Sequence, residues 1–149
     1  MGTRSITRIF DGSGDQITAI YRQMDGYPEG MGLDLAHYLR DITIVNGMSL
    51  NETRKIANGI HCLAALIVCH FKEGQPGGIY LYPPRYGWFA WQEYEYHIKF
   101  DGVEVTMACY EAKAVADYEL FDEKHLKLLF EGTPQEYCDW LDSIEEEVA

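Results

Sequence analysis

Phe89-Ala90-Trp91-Gln92-Glu93-Tyr94-Glu95-Tyr96-His97-Ile98-Lys99-Phe100, then Asp101-Gly102, then Val103-Glu104-Val105-Thr106-Met107-Ala108-Cys109-Tyr110 is the stretch that decides the fold class. Two alternating apolar runs joined by Asp-Gly are a β-hairpin signature, because Asp-Gly readily adopts the positive φ that a two-residue turn needs. In the second run Val103, Val105, Met107 and Cys109 face one side. In the first run the apolar phase shifts from Phe89 and Trp91 to Tyr94, Tyr96 and Ile98, which predicts a bulge near Gln92.

Working outward toward the N-terminus, Ile79 to Tyr82 reads as a strand stopped by Pro83-Pro84. Gly74 to Gly78 separates it from a long apolar-periodic run. Ser49-Leu50-Asn51-Glu52 matches a capping box and predicts a helix start, with Ile56, Ile60, Leu63, Ala64, Ile67 and Phe71 on its buried side. Earlier still, Thr3 to Phe10 and Gln16 to Met24 alternate around Asp11-Gly12-Ser13-Gly14-Asp15 and predict a first hairpin. Met31, Leu35, Leu39 and Ile42 recur every three or four residues, as in a short amphipathic helix.

Toward the C-terminus, Asp117 to Phe130 reads as a short strand followed by a helical turn. Thr133-Pro134-Gln135-Glu136 is a second capping box, with proline at the favoured first helical position. The helix it starts buries Tyr137, Trp140, Leu141 and Ile144. The order β-β-α-α-β-β-β-(β)-α implies an α+β fold in a single domain over residues 1–149. A mainly antiparallel sheet carries about three helices packed on one face.

Composition bounds the function. The 149 residues are 47% apolar and 13% aromatic, which excludes a disordered chain. The net charge is −12, but residues 1–60 carry six basic against seven acidic groups while residues 61–149 carry six against seventeen. Such a chain lacks the basic footprint of non-specific nucleic-acid binding. No apolar stretch is long enough to span a bilayer and no export signal follows Met1, so the expectation is a cytoplasmic protein with no membrane association. Cys62, Cys69, Cys109 and Cys138 lack CxxC spacing and read as reduced core thiols. No HExxH or Cys/His cluster appears, so neither metal nor cofactor is expected.

Between the first hairpin and the first helix lies Arg22-Gln23-Met24-Asp25-Gly26-Tyr27-Pro28-Glu29-Gly30-Met31-Gly32. A turn this rich in glycine holds its backbone close to something, either another segment or a ligand. Arg22, Gln23, Asp25 and Tyr27 place a cation, an amide, a carboxylate and a phenol around it. The N–H groups near Gly30 and Gly32 can face an anion at the following helix N-terminus. Arg4 and Arg8 share a strand face, and convergence with Arg22 would give three guanidinium groups that grip phosphate or carboxylate in bidentate fashion. The competing reading is structural. Asp25 caps the turn, Gly26 takes positive φ, Pro28 stiffens the exit, and the arginines pair with local acids.

The opening Met1-Gly2-Thr3-Arg4-Ser5 and the segment Tyr21 to Gly32 resemble a family of small phage and bacterial proteins. Its members have an MGTR start and a Tyr-x-Gln-x-Asp-Gly-Tyr-Pro-x-Gly-x-Gly turn. That family has no assigned activity, so the resemblance implies a source, a phage or prophage accessory protein, more than a chemistry. Small phage accessory proteins include inhibitors of host immunity, some of which trap nucleotide signals.

The reading is therefore a non-enzymatic protein binding a small anionic, nucleotide-like ligand through Arg4, Arg8, Arg22, Gln23, Asp25, Tyr27, Gly30 and Gly32. No residue is singled out as catalytic, and the pairs Glu93/Glu95 and Asp139/Asp142 are read as coincidences in a chain with 24 carboxylates. The alternative is a protein-interaction module, an inhibitor of a host protein, using the acidic second half. The aromatic run Tyr80 to Trp91 and an unpaired sheet edge predict a homodimer.

Overall fold

In the computed structural model, which describes residues 2–112 and 119–148, strands β1 (Ser5–Phe10) and β2 (Gln16–Arg22) lead into a π-helical turn at Pro28–Gly32. Helix α1 (Leu33–Leu39) follows, then the short strands β3 (Thr43–Val45) and β4 (Ile56–Asn58) and helix α2 (Gly59–Lys72). Strands β5 (Ile79–Tyr82), β6 (Tyr94–Phe100), β7 (Val105–Glu111) and β8 (Lys127–Gly132) precede helix α3 (Pro134–Val148). The fold is α+β, with a six-stranded sheet in the order β5-β2-β1-β6-β7-β8. Every neighbouring pair is antiparallel except β1 and β6.

Directly paired residues share a face. The register therefore puts Ile9, Ile20, Tyr96, Ile98, Met107 and Cys109 on one side, where they form a core with residues of α1, α2 and α3. The other side carries Ile6, Arg8, Phe10, Glu95, His97 and Tyr110. It is crossed by the segment joining β5 to β6 and by residues 119–126. These two straps are tied together through Gly87 N–H to Glu119 O (2.9 Å) and Phe121 N–H to Arg85 O (2.9 Å). With both faces covered, every residue of β1 is buried.

Both hairpins form where the turns predict, and the second capping box closes reciprocally. Glu136 N–H donates to Thr133 Oγ1 (3.2 Å), and Thr133 N–H donates to Glu136 Oε1 (2.9 Å). Other expectations are corrected. Ser49 starts no helix, because the Glu52 carboxylate takes three bonds from Arg54, at 3.1, 2.8 and 2.8 Å, and builds a local turn. Ile56 lies in β4, and α2 begins at Gly59, whose φ of +83° turns the chain out of that strand. No bulge forms at Gln92. β6 starts at Tyr94, and Trp91 takes a left-handed φ of 60° instead. Between Glu119 and Phe130 a 3₁₀ turn at Glu123–His125 precedes the strand, the reverse of the expected order, and Asp117 lies outside the described residues. Among the described residues no helix is long and apolar enough to cross a membrane.

Candidate functional site

The glycine-rich turn is built by close packing. Asp25 sits at φ 57° and its carbonyl accepts Met31 N–H at 2.8 Å. Gly26 donates to Thr3 O (2.9 Å), and a Cβ there would lie 2.7 Å from Ser5 N. Two buried tyrosines pin the backbone from the core. Tyr96 Oη donates to Gly26 O (2.7 Å) and Tyr137 Oη donates to Pro28 O (2.8 Å). The N–H of Gly30 donates to Tyr27 O at 2.9 Å and that of Met31 is already paired, so neither is left for an anion. Gly30 and Gly32 thus admit neighbours: the Asp25 carbonyl lies against the first, and the Tyr137 hydroxyl against the second.

Beside this turn a cleft of about 950 Å³ opens between α1 and α2. The end of β2 delivers Arg22, the turn Asp25, and α1 Asp34, His37 and Tyr38, with Asp41 just beyond its end. Arg54 and Lys55 enter just ahead of β4, and α2 supplies His70 and Phe71. Arg22 is held by Met24 O on Nε (2.8 Å), and on Nη1 by Met31 Sδ (3.0 Å) and Asp34 Oδ2 (3.1 Å). Its Nη2 makes no hydrogen bond among the described residues. The Tyr38 and His70 rings stack with centroids 4.1 Å apart, and Phe71 stands edge-on to both. Burial, with the nearby Cys69 and Cys62, raises the Tyr38 phenol above its usual range and keeps it a donor.

The other sequence-predicted residues disperse. Ser5 pairs with Arg22 across the hairpin, so Arg22 points to the helix side while Arg4 and Arg8 point to the opposite face. The three arginines do not converge. Arg8 is fully buried under the straps. It donates Nε to Glu95 Oε1 (2.7 Å) and Nη2 to Glu95 Oε2 (3.3 Å), and it bonds Gln16 Oε1, Pro84 O and Gly87 O. Phe121 covers its guanidinium at 4.2 Å. Gln23 is exposed and uses its backbone N–H on Gly78 O. Tyr27 is 38% exposed, with Oη 3.5 Å from Asp25 Oδ1. Arg4 lines a separate, smaller cavity.

Sequence reasoning missed two groups. Tyr38, Arg54, Lys55 and His70 come from three separate segments, and no local spacing announces that they meet. For Glu95 and His97 only the shared strand face of Glu-x-His was within reach, since the pairing of their strand with that of Arg8 is not local. His97 Nε2 lies 3.0 Å from Glu95 Oε1, and its Nδ1 has no partner among the described residues. Among the cysteines, Cys109 and Cys138 are buried but Cys69 is exposed, so the expectation of four core thiols is corrected. Burial pushes the Cys109 thiol up to about 12, which leaves it unreactive at neutral pH. No group of three or more His, Cys, Asp or Glu among the described residues is placed to hold a metal ion. No protein-family model, curated protein or solved structure matches the chain.

Proposed function

We propose that this chain is a non-enzymatic accessory protein, of the phage type its turn signature resembles. On this reading it binds a small anionic, nucleotide-like ligand in the cleft between α1 and α2 and can thereby sequester a host immune signal. The observation that carries the reading is a free guanidinium edge on Arg22, together with Arg54 and Lys55, in the same cleft as the Tyr38–His70–Phe71 ring cluster. A phosphate takes the cations, a base stacks on the rings, and Asp25 or Asp41 accepts from ribose hydroxyls or base N–H groups.

Calorimetry across nucleoside mono- and diphosphates and cyclic nucleotides tests this reading. Loss of one charge-assisted bond is worth roughly 1.5–3 kcal/mol, so Arg22→Ala should weaken a hit by about ten-fold or more with the fold intact. A panel without a hit removes the proposal. A hit that ignores Arg22→Ala moves the site elsewhere.

A second reading, docking of a basic host protein, is favoured by the exposed acidic face of α3, where Glu136, Asp139, Asp142 and Glu145 to Glu147 all face solvent. Salt-sensitive binding that is indifferent to Arg22→Ala distinguishes it. On either reading a homodimer through the β5 edge fits the exposure of Tyr80, Leu81 and Tyr82 on an outermost strand that carries no charged side chain of its own, Lys72 Nζ reaching only its first carbonyl, Ile79 O, at 3.1 Å. Light scattering at micromolar concentration should give twice the 17.1 kDa chain mass, and Leu81→Lys should return the monomer. A wild-type mass of one chain rejects the dimer.

A further inference from the structure

On the sheet face away from the helices, Arg4 shares a cavity of about 500 Å³ with Tyr21, Tyr82, Phe89, Ala90 and Trp91. The Tyr82 ring centroid lies 4.8 Å from that of Phe89 and 6.2 Å from that of Tyr21, so the walls are a continuous set of rings. Two features of this place are left unexplained by packing.

The first is the charge. Acidic groups outnumber basic ones two to one in this chain, and Arg8, Arg22 and Arg54 each hold a carboxylate. The Arg4 guanidinium makes no hydrogen bond, ion pair or ring contact among the described residues. Its backbone is fixed, since Arg4 O accepts Glu93 N–H at 2.9 Å. A cation on a fixed backbone, with no anion paired to it among the described residues, presents its donor edge to whatever enters the cavity.

The second is Trp91. The residue is 69% exposed, with the Trp88 ring 5.7 Å from its own on one side, and its backbone sits at φ 60°, a conformation that a bulky L-residue adopts only under constraint. The constraint is visible next door. Gln92 is fully buried, accepts Ala90 N–H on Oε1 (3.2 Å), and donates Nε2 to Gly87 O (3.0 Å) and Glu95 Oε2 (3.1 Å). The Gln92 carbonyl takes Trp88 Nε1–H at 2.8 Å. Gln92 locks the loop from within, and the result is an indole held out at the rim of a cavity whose other walls are already aromatic.

We propose that this cavity is a second binding site, for a small planar aromatic anion. A flat ring bearing one carboxylate or phosphate inserts among Tyr21, Tyr82 and Trp91, with the charge on Arg4. Ring faces offer stacking partners at the spacing aromatic pairs favour, and a single guanidinium matches a single bidentate anion. The volume falls within the small-molecule range, and the chain's net charge of −12 disfavours a polyanion. Because Arg4 and Arg22 point to opposite faces of the sheet, this site is independent of the cleft between α1 and α2.

The test is calorimetry on the full chain with 2-naphthoate and its uncharged isostere 2-naphthamide as probes. The naphthoate should bind at least ten-fold more tightly. Arg4→Gln should bring the two to parity, Trp91→Gly should weaken both by ten-fold or more, and Arg22→Ala should change neither. Trp91→Gly is chosen because glycine suits φ 60°. Its melting temperature should hold or rise, which separates loss of the ring from loss of the fold. Equal affinity for the two probes overturns the proposal. So does absence of binding at millimolar concentration, binding that survives Arg4→Gln and Trp91→Gly, or binding that disappears with Arg22→Ala.

Discussion

Glu95→Ala is expected to destabilise the protein by about 3–5 kcal/mol, the cost of leaving a buried cation without its counter-ion. Arg8 and Glu95 are both fully buried and share two bonds. Truncating the carboxylate also strands His97 Nε2 and removes one of the two bonds of Gln92 Nε2, which keeps only Gly87 O. Urea denaturation followed by circular dichroism measures the loss. The double variant Arg8→Met/Glu95→Leu should recover much of it, because an apolar pair of similar volume leaves no charge uncompensated. A Glu95→Ala protein within 1 kcal/mol of wild type would show that water reaches the pair.

The same network sets the response to acid. Burial alone raises the Glu95 carboxyl, but the hydrogen bond from His97 and the charge and bonds of Arg8 outweigh it and hold the pKa at about 2, below its ordinary 4.5. Burial also lowers the His97 imidazole below its ordinary 6.5, against the hydrogen bond and charge of Glu95. Both folded values lie below the unfolded ones. Stability is therefore full above pH 6.5 and is lost as pH falls, first through His97 and then, below about 4.5, through Glu95. Other acids, Glu52 and Asp101 among them, are also lowered and add to the acid limb of any variant, so the informative quantity is the wild-type difference from Glu95→Ala. That difference should shrink from pH 5 toward pH 2.

What the sequence disclosed follows from how far each signal reaches. Period-two alternation with Asp101-Gly102 between the runs is local, and it specified the β6–β7 hairpin. The Thr133–Glu136 box is local too, and nothing nearby competes for its carboxylate. The Ser49–Glu52 box has the same Ser/Thr-x-x-Glu pattern, but Arg54 stands two residues beyond Glu52 and captures it, so the helix waits until Gly59. Arg8 sits among Ile6, Ile9 and Phe10 with nothing to show that its counter-ion lies 87 residues away on a parallel neighbour strand. Strand order and the straps are non-local facts. Without them a buried ion pair and a surface arginine read alike. The ring cluster of the cleft is hidden for the same reason, since Tyr38 and His70 meet only once α1 and α2 pack.

The turn at Asp25–Gly32 shows how one local motif can serve both structure and site, and Gly30→Ala separates the two. A Cβ at Gly30 would overlap the Asp25 carbonyl, which is backbone and cannot swing aside, and that carbonyl already accepts Met31 N–H. Relief requires the turn to open. Overpacking of this kind and the loss of one internal hydrogen bond together predict a cost of roughly 2–4 kcal/mol. Gly12→Ala is the control, because nothing lies within 4 Å of a Cβ there and its φ is not in the left-handed region; it should stay within about 0.5 kcal/mol of wild type. Opening the turn also displaces Met24 O and Met31 Sδ, two of the three groups that aim Arg22 into the cleft. Gly30→Ala should therefore weaken a cleft ligand even at temperatures where the variant is fully folded. Wild-type stability in Gly30→Ala would mean the backbone has slack at this point. The close approach of Asp25 and Gly30 would then have no part in placing Arg22.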